Sequence, residues 1–100
     1  MSVLVTMRVP GDTQRFREFI ASSGDRLEQI AEQARSGGAI HHRFGIGDGF
    51  VLVVDEWESP EHFRRFFETN QLLPDVMRDA GAQGEPEITF VEAVSTADEF

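Results

Sequence analysis

Residues His41 to Gly49, "HHRFGIGDG", hold the side chains with the clearest chemical potential. Two histidines precede three glycines spaced G-x-G-x-G. A histidine pair suits metal ligation or proton transfer, and a glycine loop suits a phosphate. The phosphate reading fails on context. A phosphate cradle needs a glycine loop that opens a helix, whose first N–H groups point at the anion. Here "FVLVVDEW" follows Gly49, and that is a strand. Asp48-Gly49 between apolar alternations is a hairpin turn instead. Adjacent residues on a strand point to opposite faces, so His41 and His42 do not share a site unless a bulge intervenes. No third ligand stands at suitable spacing, so no metal site is expected.

The turn decides which histidine meets an acid. If Asp48-Gly49 alone forms the loop, residue 42 faces residue 55, and His42 lies across from Asp55. If Gly47-Asp48-Gly49 forms it, His41 takes that place. The two-residue loop is the commoner form and favours His42. A carboxylate beside an imidazole orients its tautomer and favours proton uptake, as a general base requires. The plainer reading is a cross-strand pair worth about 0.2–1 kcal/mol to the sheet.

Four other groups of residues are candidates. Thr6 and Arg8 share the polar parity of the first strand, so they point away from the helix-covered face. There Arg8, or Arg43 on the second strand, has the charge to steady an anion, and otherwise makes a rim salt bridge. Trp57 shares the parity of Asp55. It is placed to wall a pocket and offer its indole N–H to a ligand, or to cap the core. Phe63 and Phe67, with Phe66 and with Phe16 and Phe19 of the other helix, form an aromatic layer that suits either a core or a flat ligand. His62 falls at about the third helical position beside an inward Phe63 and is expected to face solvent.

The elements that must position these residues are legible from their periods. Val3, Val5, Met7 and Val9 alternate with Leu4, Thr6 and Arg8, a strand ended by Pro10-Gly11. Asp12 caps a helix over about residues 13–35. Phe16, Phe19, Ile20, Ser23, Leu27, Ile30, Ala31 and Ala34 make its apolar stripe, with a kink allowed near Gly24. Ala39–Ile46 and Phe50–Trp57 are the hairpin strands. Ser59-Pro60-Glu61 opens a second helix, with Ser as cap and Pro in the first turn. Pro74 interrupts, a short helical turn runs through Val76, Met77 and Ala80 to Gly81, and Ile88–Val94 forms the last strand.

The order is βαββαβ. It predicts an α+β, ferredoxin-like domain over residues 1–95: a four-stranded antiparallel sheet with both helices on one face. The acidic tail, residues 96–100, frays. Every strand is apolar on both parities, so the uncovered face needs a second cover. A second copy, sheet against sheet, is the simplest one.

Composition narrows the partners. The chain has 100 residues, 40% hydrophobic and 27% charged, with nine Phe and no Cys. It is one domain's worth, globular, and free of disulfides and thiolate chemistry. Its formal charge is −9, which would repel a phosphate backbone and excludes nucleic acid as a partner. No apolar run approaches the roughly 20 residues of a membrane span. "MSVLVTMRVPGD" has no charged leader pattern, so a cytoplasmic protein is expected.

With these elements the chain resembles the antibiotic biosynthesis monooxygenase-like group of the dimeric α/β barrel superfamily. The likeness spans nearly the whole chain. Its most specific piece is Val51–Phe63, "VLVVDEWESPEHF": apolar strand, acid, Trp, Ser-Pro helix start, Phe. The resemblance implies a homodimer through facing sheets and a cavity between sheet and helices for a small aromatic or polyketide-type ligand. It also implies oxidation without metal, flavin or other cofactor. The alternative it allows is a non-catalytic binding or purely structural barrel. Haem degradation, known in some such proteins, is not expected: the first strand "VLVTMRV" lacks the Asn those members use, Trp57 precedes the helix, and no His follows Phe63. On the oxygenase reading, His42 and Asp55 supply the base. Thr6, Arg8, His41, Arg43, Trp57, Phe63 and Phe67 contact the ligand.

Overall fold

A computed structural model describes residues 1–100. Seven elements follow in chain order: β1 (Val3–Pro10), α1 (Thr13–Ser36), β2 (Ala39–Ile46), β3 (Phe50–Trp57), α2 (Pro60–Thr69), α3 (Leu73–Asp79) and β4 (Glu87–Glu92). The four strands form one sheet in the order β2-β3-β1-β4, and every neighbouring pair is antiparallel. This is the ferredoxin-like arrangement, with the helices on one face.

The period-two strands divide their side chains cleanly. Val3, Val5, Met7 and Val9 of β1 and Val51, Val53, Asp55 and Trp57 of β3 are all buried on the helix face. Full burial of one aliphatic side chain of this size contributes about 1.5–3 kcal/mol, so these two central strands carry most of the core. Phe63 of α2 closes on them, joined by the half-buried Phe66, Phe67, Ala34 and Met77.

Caps set the helix ends. The Asp12 side chain accepts from the Arg15 backbone N–H at 3.1 Å and starts α1. The Ser59 Oγ accepts from the His62 N–H at 3.2 Å and starts α2, with Pro60 in its first turn. Pro74 stands in the first turn of α3, so it begins that helix as well as ending the segment before it.

α1 bends within Ser22–Asp25, where the sequence allows a kink: Ser23 leaves helical geometry at φ −139°, ψ 29°, just before Gly24. Three other expectations change. The apolar stripe splits at this bend. Phe16 and Phe19 before the bend are buried, Ile20 is exposed, and Leu27, Ile30, Ala31 and Ala34 beyond it are only half-buried. Second, β4 stops at Glu92, and Val94 lies exposed beyond it. Its neighbour β1 begins at Val3, and the last bond of that edge runs from the Ala93 N–H to the Ser2 carbonyl. Third, His62 does not stand free in solvent. It is half-buried, its Nδ1 lies 2.6 Å from the Ser59 Oγ, and its ring packs over Gly38.

The hairpin uses the two-residue loop. Gly47 N–H donates to the Phe50 carbonyl at 2.9 Å, and Asp48-Gly49 turns the chain, with Gly49 at φ +80°. That register carries through β2 and pairs Ile46 with Val51, Phe44 with Val53 and His42 with Asp55. A β-bulge near the start of β2 inserts Ile40 between Ala39, opposite Trp57, and His41, opposite Glu56.

Candidate functional site

A cavity of about 420 Å³ lies between the helix face of the sheet and the helices. Of its 29 lining residues 21 are hydrophobic, which matches an apolar ligand pocket in size and character. Its walls come from three sources. The central strands contribute Val53 and Trp57, α2 contributes Phe63 and Phe67, and the half of α1 beyond its bend contributes Leu27 and Ile30.

Asp55 is the one buried charged residue in this lining. The Asp55 side chain is 8% exposed, and both of its oxygens are engaged. Oδ1 lies 2.7 Å from the His42 Nδ1, and Oδ2 accepts from the Trp57 indole N–H at 3.0 Å. No buried side-chain polar atom is left unpartnered. Register explains the pair, because His42 and Asp55 are facing residues of β2 and β3. The i, i+2 spacing of Asp55 and Trp57 on one strand explains the second bond. A carboxylate oxygen accepts, so the ring tautomer that completes this bond carries a proton on Nδ1 and leaves Nε2 without a partner. The His42 side chain is 38% exposed and touches the cavity. An imidazole so placed is able to accept a proton on Nε2 with the carboxylate beside it.

Trp57, 1% exposed, packs edge-on against Phe63 at 5.4 Å and tilted against Phe66 at 5.4 Å. Phe63 stacks with Phe67 at 5.6 Å. The aromatic layer is thus both core and cavity wall. The Trp57 N–H is committed to Asp55, so the indole gives the cavity a surface and not a donor.

The remaining candidates fall elsewhere. Val5 and Asp55 are facing residues on the helix side, so Thr6 and Arg8 lie on the opposite face of the sheet. Arg43, opposite Val54, joins them there. None of the three touches the cavity. The Arg8 guanidinium sits 3.7 Å above the Phe50 ring. His41 is divided: it borders the cavity, while its Nε2 lies 3.9 Å from Glu56 on the outer face and its side chain is 76% exposed. The structure therefore gathers His42, Asp55, Trp57, Phe63 and Phe67 and separates Thr6, Arg8 and Arg43 from them. No three His, Cys, Asp or Glu side chains converge as a metal site would need.

Two contributors escape a reading of local spacing. Leu73, Val76 and Met77 of α3 close one end of the cavity, and Arg35 borders it at the end of α1. Arg35 follows Ala31 by four residues and so flanks the apolar stripe, which is the signal that marks it.

No protein-family model matches the chain, and no curated protein sequence does either. Solved structures do. SnoaB, a cofactor-independent oxygenase from Streptomyces nogalater, is 18% identical with a TM-score of 0.65, over 98% of both chains. A monooxygenase from the gene ActVA-Orf6 of Streptomyces coelicolor, in complex with nanaomycin D, is 16% identical with a TM-score of 0.69, over 99% of this chain and 93% of that one. A dimeric ferredoxin-like protein from an uncultured marine organism is 14% identical with a TM-score of 0.64, over 99% and 93%. At these identities the likeness is one of fold: from end to end, this chain has the ferredoxin-like fold of the antibiotic biosynthesis monooxygenase structures.

Proposed function

We propose that this protein is a cofactor-independent monooxygenase acting on a small aromatic or polyketide-type molecule. The observation that carries this reading is the His42–Asp55–Trp57 chain set into a predominantly apolar cavity. The substrate is one whose anion reduces O₂ itself, such as an anthrone or a quinol. His42 Nε2 takes the acidic proton. Asp55 offsets the charge of the resulting imidazolium, and Trp57 holds the second carboxylate oxygen so that the first stays on His42. For an activated CH₂, one oxygen atom becomes the product carbonyl and the other leaves as water. The substrate supplies all four electrons, so no external reductant enters. The apolar walls exclude water from the carbanion and keep the ring system flat against the aromatic layer.

The working unit in this proposal is a homodimer in the cytoplasm, with two outer sheet faces together. Leu4, Val54 and Val91 are exposed there at 41%, 44% and 52%, beside Thr6, Arg8 and Arg43. The similar marine protein is itself described as dimeric. No helix is long and apolar enough to cross a membrane.

One observation favours a second reading, a non-catalytic binder. The indole N–H, the most obvious donor for a developing oxyanion, is already spent on Asp55. Oxygen uptake separates the two. With anthrone-type and quinol substrates under air, wild type consumes oxygen and His42→Ala loses at least about tenfold of the rate. Demonstrable binding without any uptake refutes the oxygenase and leaves the binder.

A further inference from the structure

We infer that the cavity selects an organic anion, an apolar ring system bearing a carboxylate, and that Arg35 is the residue that selects it. This inference rests on the reading of the cavity as a ligand site and adds the ligand's charge to it.

Six lining residues are also exposed. Pro10 and Asp12 stand just before α1, and Arg35, Ile40, His41 and His42 lie within eight consecutive residues where α1 ends and β2 begins. Three of these last four are basic, and they form one rim of the cavity. The chain as a whole carries −9, so it repels anions everywhere except where a local cation reverses the field. The acids that touch the cavity do not cancel this rim. Asp12 is occupied at the other end of α1, capping the helix through the Arg15 N–H. Asp55 is bound on both oxygens by His42 and Trp57.

Arg35 is the only Arg or Lys on the cavity, and it makes no ion pair; the salt bridges of the chain engage Arg26, Arg78 and the three histidines. Its fork of donors is therefore free to take a carboxylate at the mouth while the ring system lies among the apolar walls. His42 then faces the ligand at a point inside this anchor. The competing account of Arg35 is a cation that merely complements the last turn of α1. Such a residue would leave the relative affinity for charged and neutral ligands unchanged.

The experiment compares 2-naphthoate with its neutral isostere 2-naphthamide by titration calorimetry at low salt, on wild type, Arg35→Gln and Arg35→Lys. Wild type is expected to bind the carboxylate about threefold to tenfold more tightly than the amide, the range of a partly exposed charge contact. Arg35→Gln brings that ratio to about one, and Arg35→Lys keeps most of it. Equal binding of both ligands by wild type overturns the inference while the cavity reading stands. A preference that survives in Arg35→Gln overturns the role of Arg35. Failure of either ligand to bind any variant removes the cavity as a ligand site, and this inference with it.

Discussion

His42 and Asp55 face each other across β2 and β3, and the imidazole Nδ1 lies 2.7 Å from the carboxylate. The pair is asymmetric in burial. Asp55 is enclosed and His42 stands at the cavity mouth, so the two residues answer differently to removal.

Asp55→Ala leaves the buried Trp57 N–H without an acceptor, and an orphaned buried donor costs about 1–3 kcal/mol. Asp55→Asn keeps an acceptor oxygen and costs less. His42→Ala opens the site to water and costs under about 1.5 kcal/mol, although it removes the base. Urea denaturation of the three variants checks the order. If His42→Ala is the most destabilising, the burial argument is wrong.

Asp79 provides a pH signature remote from the cavity. The hydrogen bond from Arg26 at 3.0 Å, aided by Arg78, holds its carboxyl below the ordinary value of 3.8. A depressed carboxyl contributes stability that is present above the unfolded value and lost as pH falls through the folded one. Asp79→Asn should therefore be less stable than wild type at neutral pH, and the gap should close as pH drops below about 3.8. Thermal melts of both proteins between pH 7 and pH 2 test this, and a gap independent of pH would contradict it.

Gly38 occupies φ +115°, and a Cβ there would stand 2.8 Å from the His62 ring. Gly38→Ala suffers both the unfavourable backbone region and the clash. We expect a loss of about 1 kcal/mol or more. Gly38→Ala combined with His62→Ala recovers the steric part only. A double variant no more stable than the single one would show that the ring contact is not costly.

The outer sheet face gives a mass prediction. Light scattering at micromolar concentration should return twice the chain's 11.2 kDa for wild type. Val54→Lys, which puts a charge at the centre of that face, should return the single-chain mass. A wild type of 11.2 kDa refutes the facing-sheet dimer.

Local spacing in the sequence determined the elements and even one long-range pairing. Period-two alternation marks β1 and the hairpin strands, because side chains of an extended chain alternate whatever they pack against. Asp48-Gly49 is a turn by its own backbone chemistry. Once a two-residue turn is placed, counting outward pairs His42 with Asp55, so half of the candidate site was written within fifteen residues. The polar parity of β1 already turned Thr6 and Arg8 away from the helices. Tertiary structure decided the rest. The pairing of β3 with β1 and β2 put Asp55 and Trp57 inside and Arg43 outside. Packing closed Phe63 and Phe67 of α2 and Met77 of α3 over the central strands. These are contacts between residues on different elements, and their energies depend on neighbours that a local pattern does not contain.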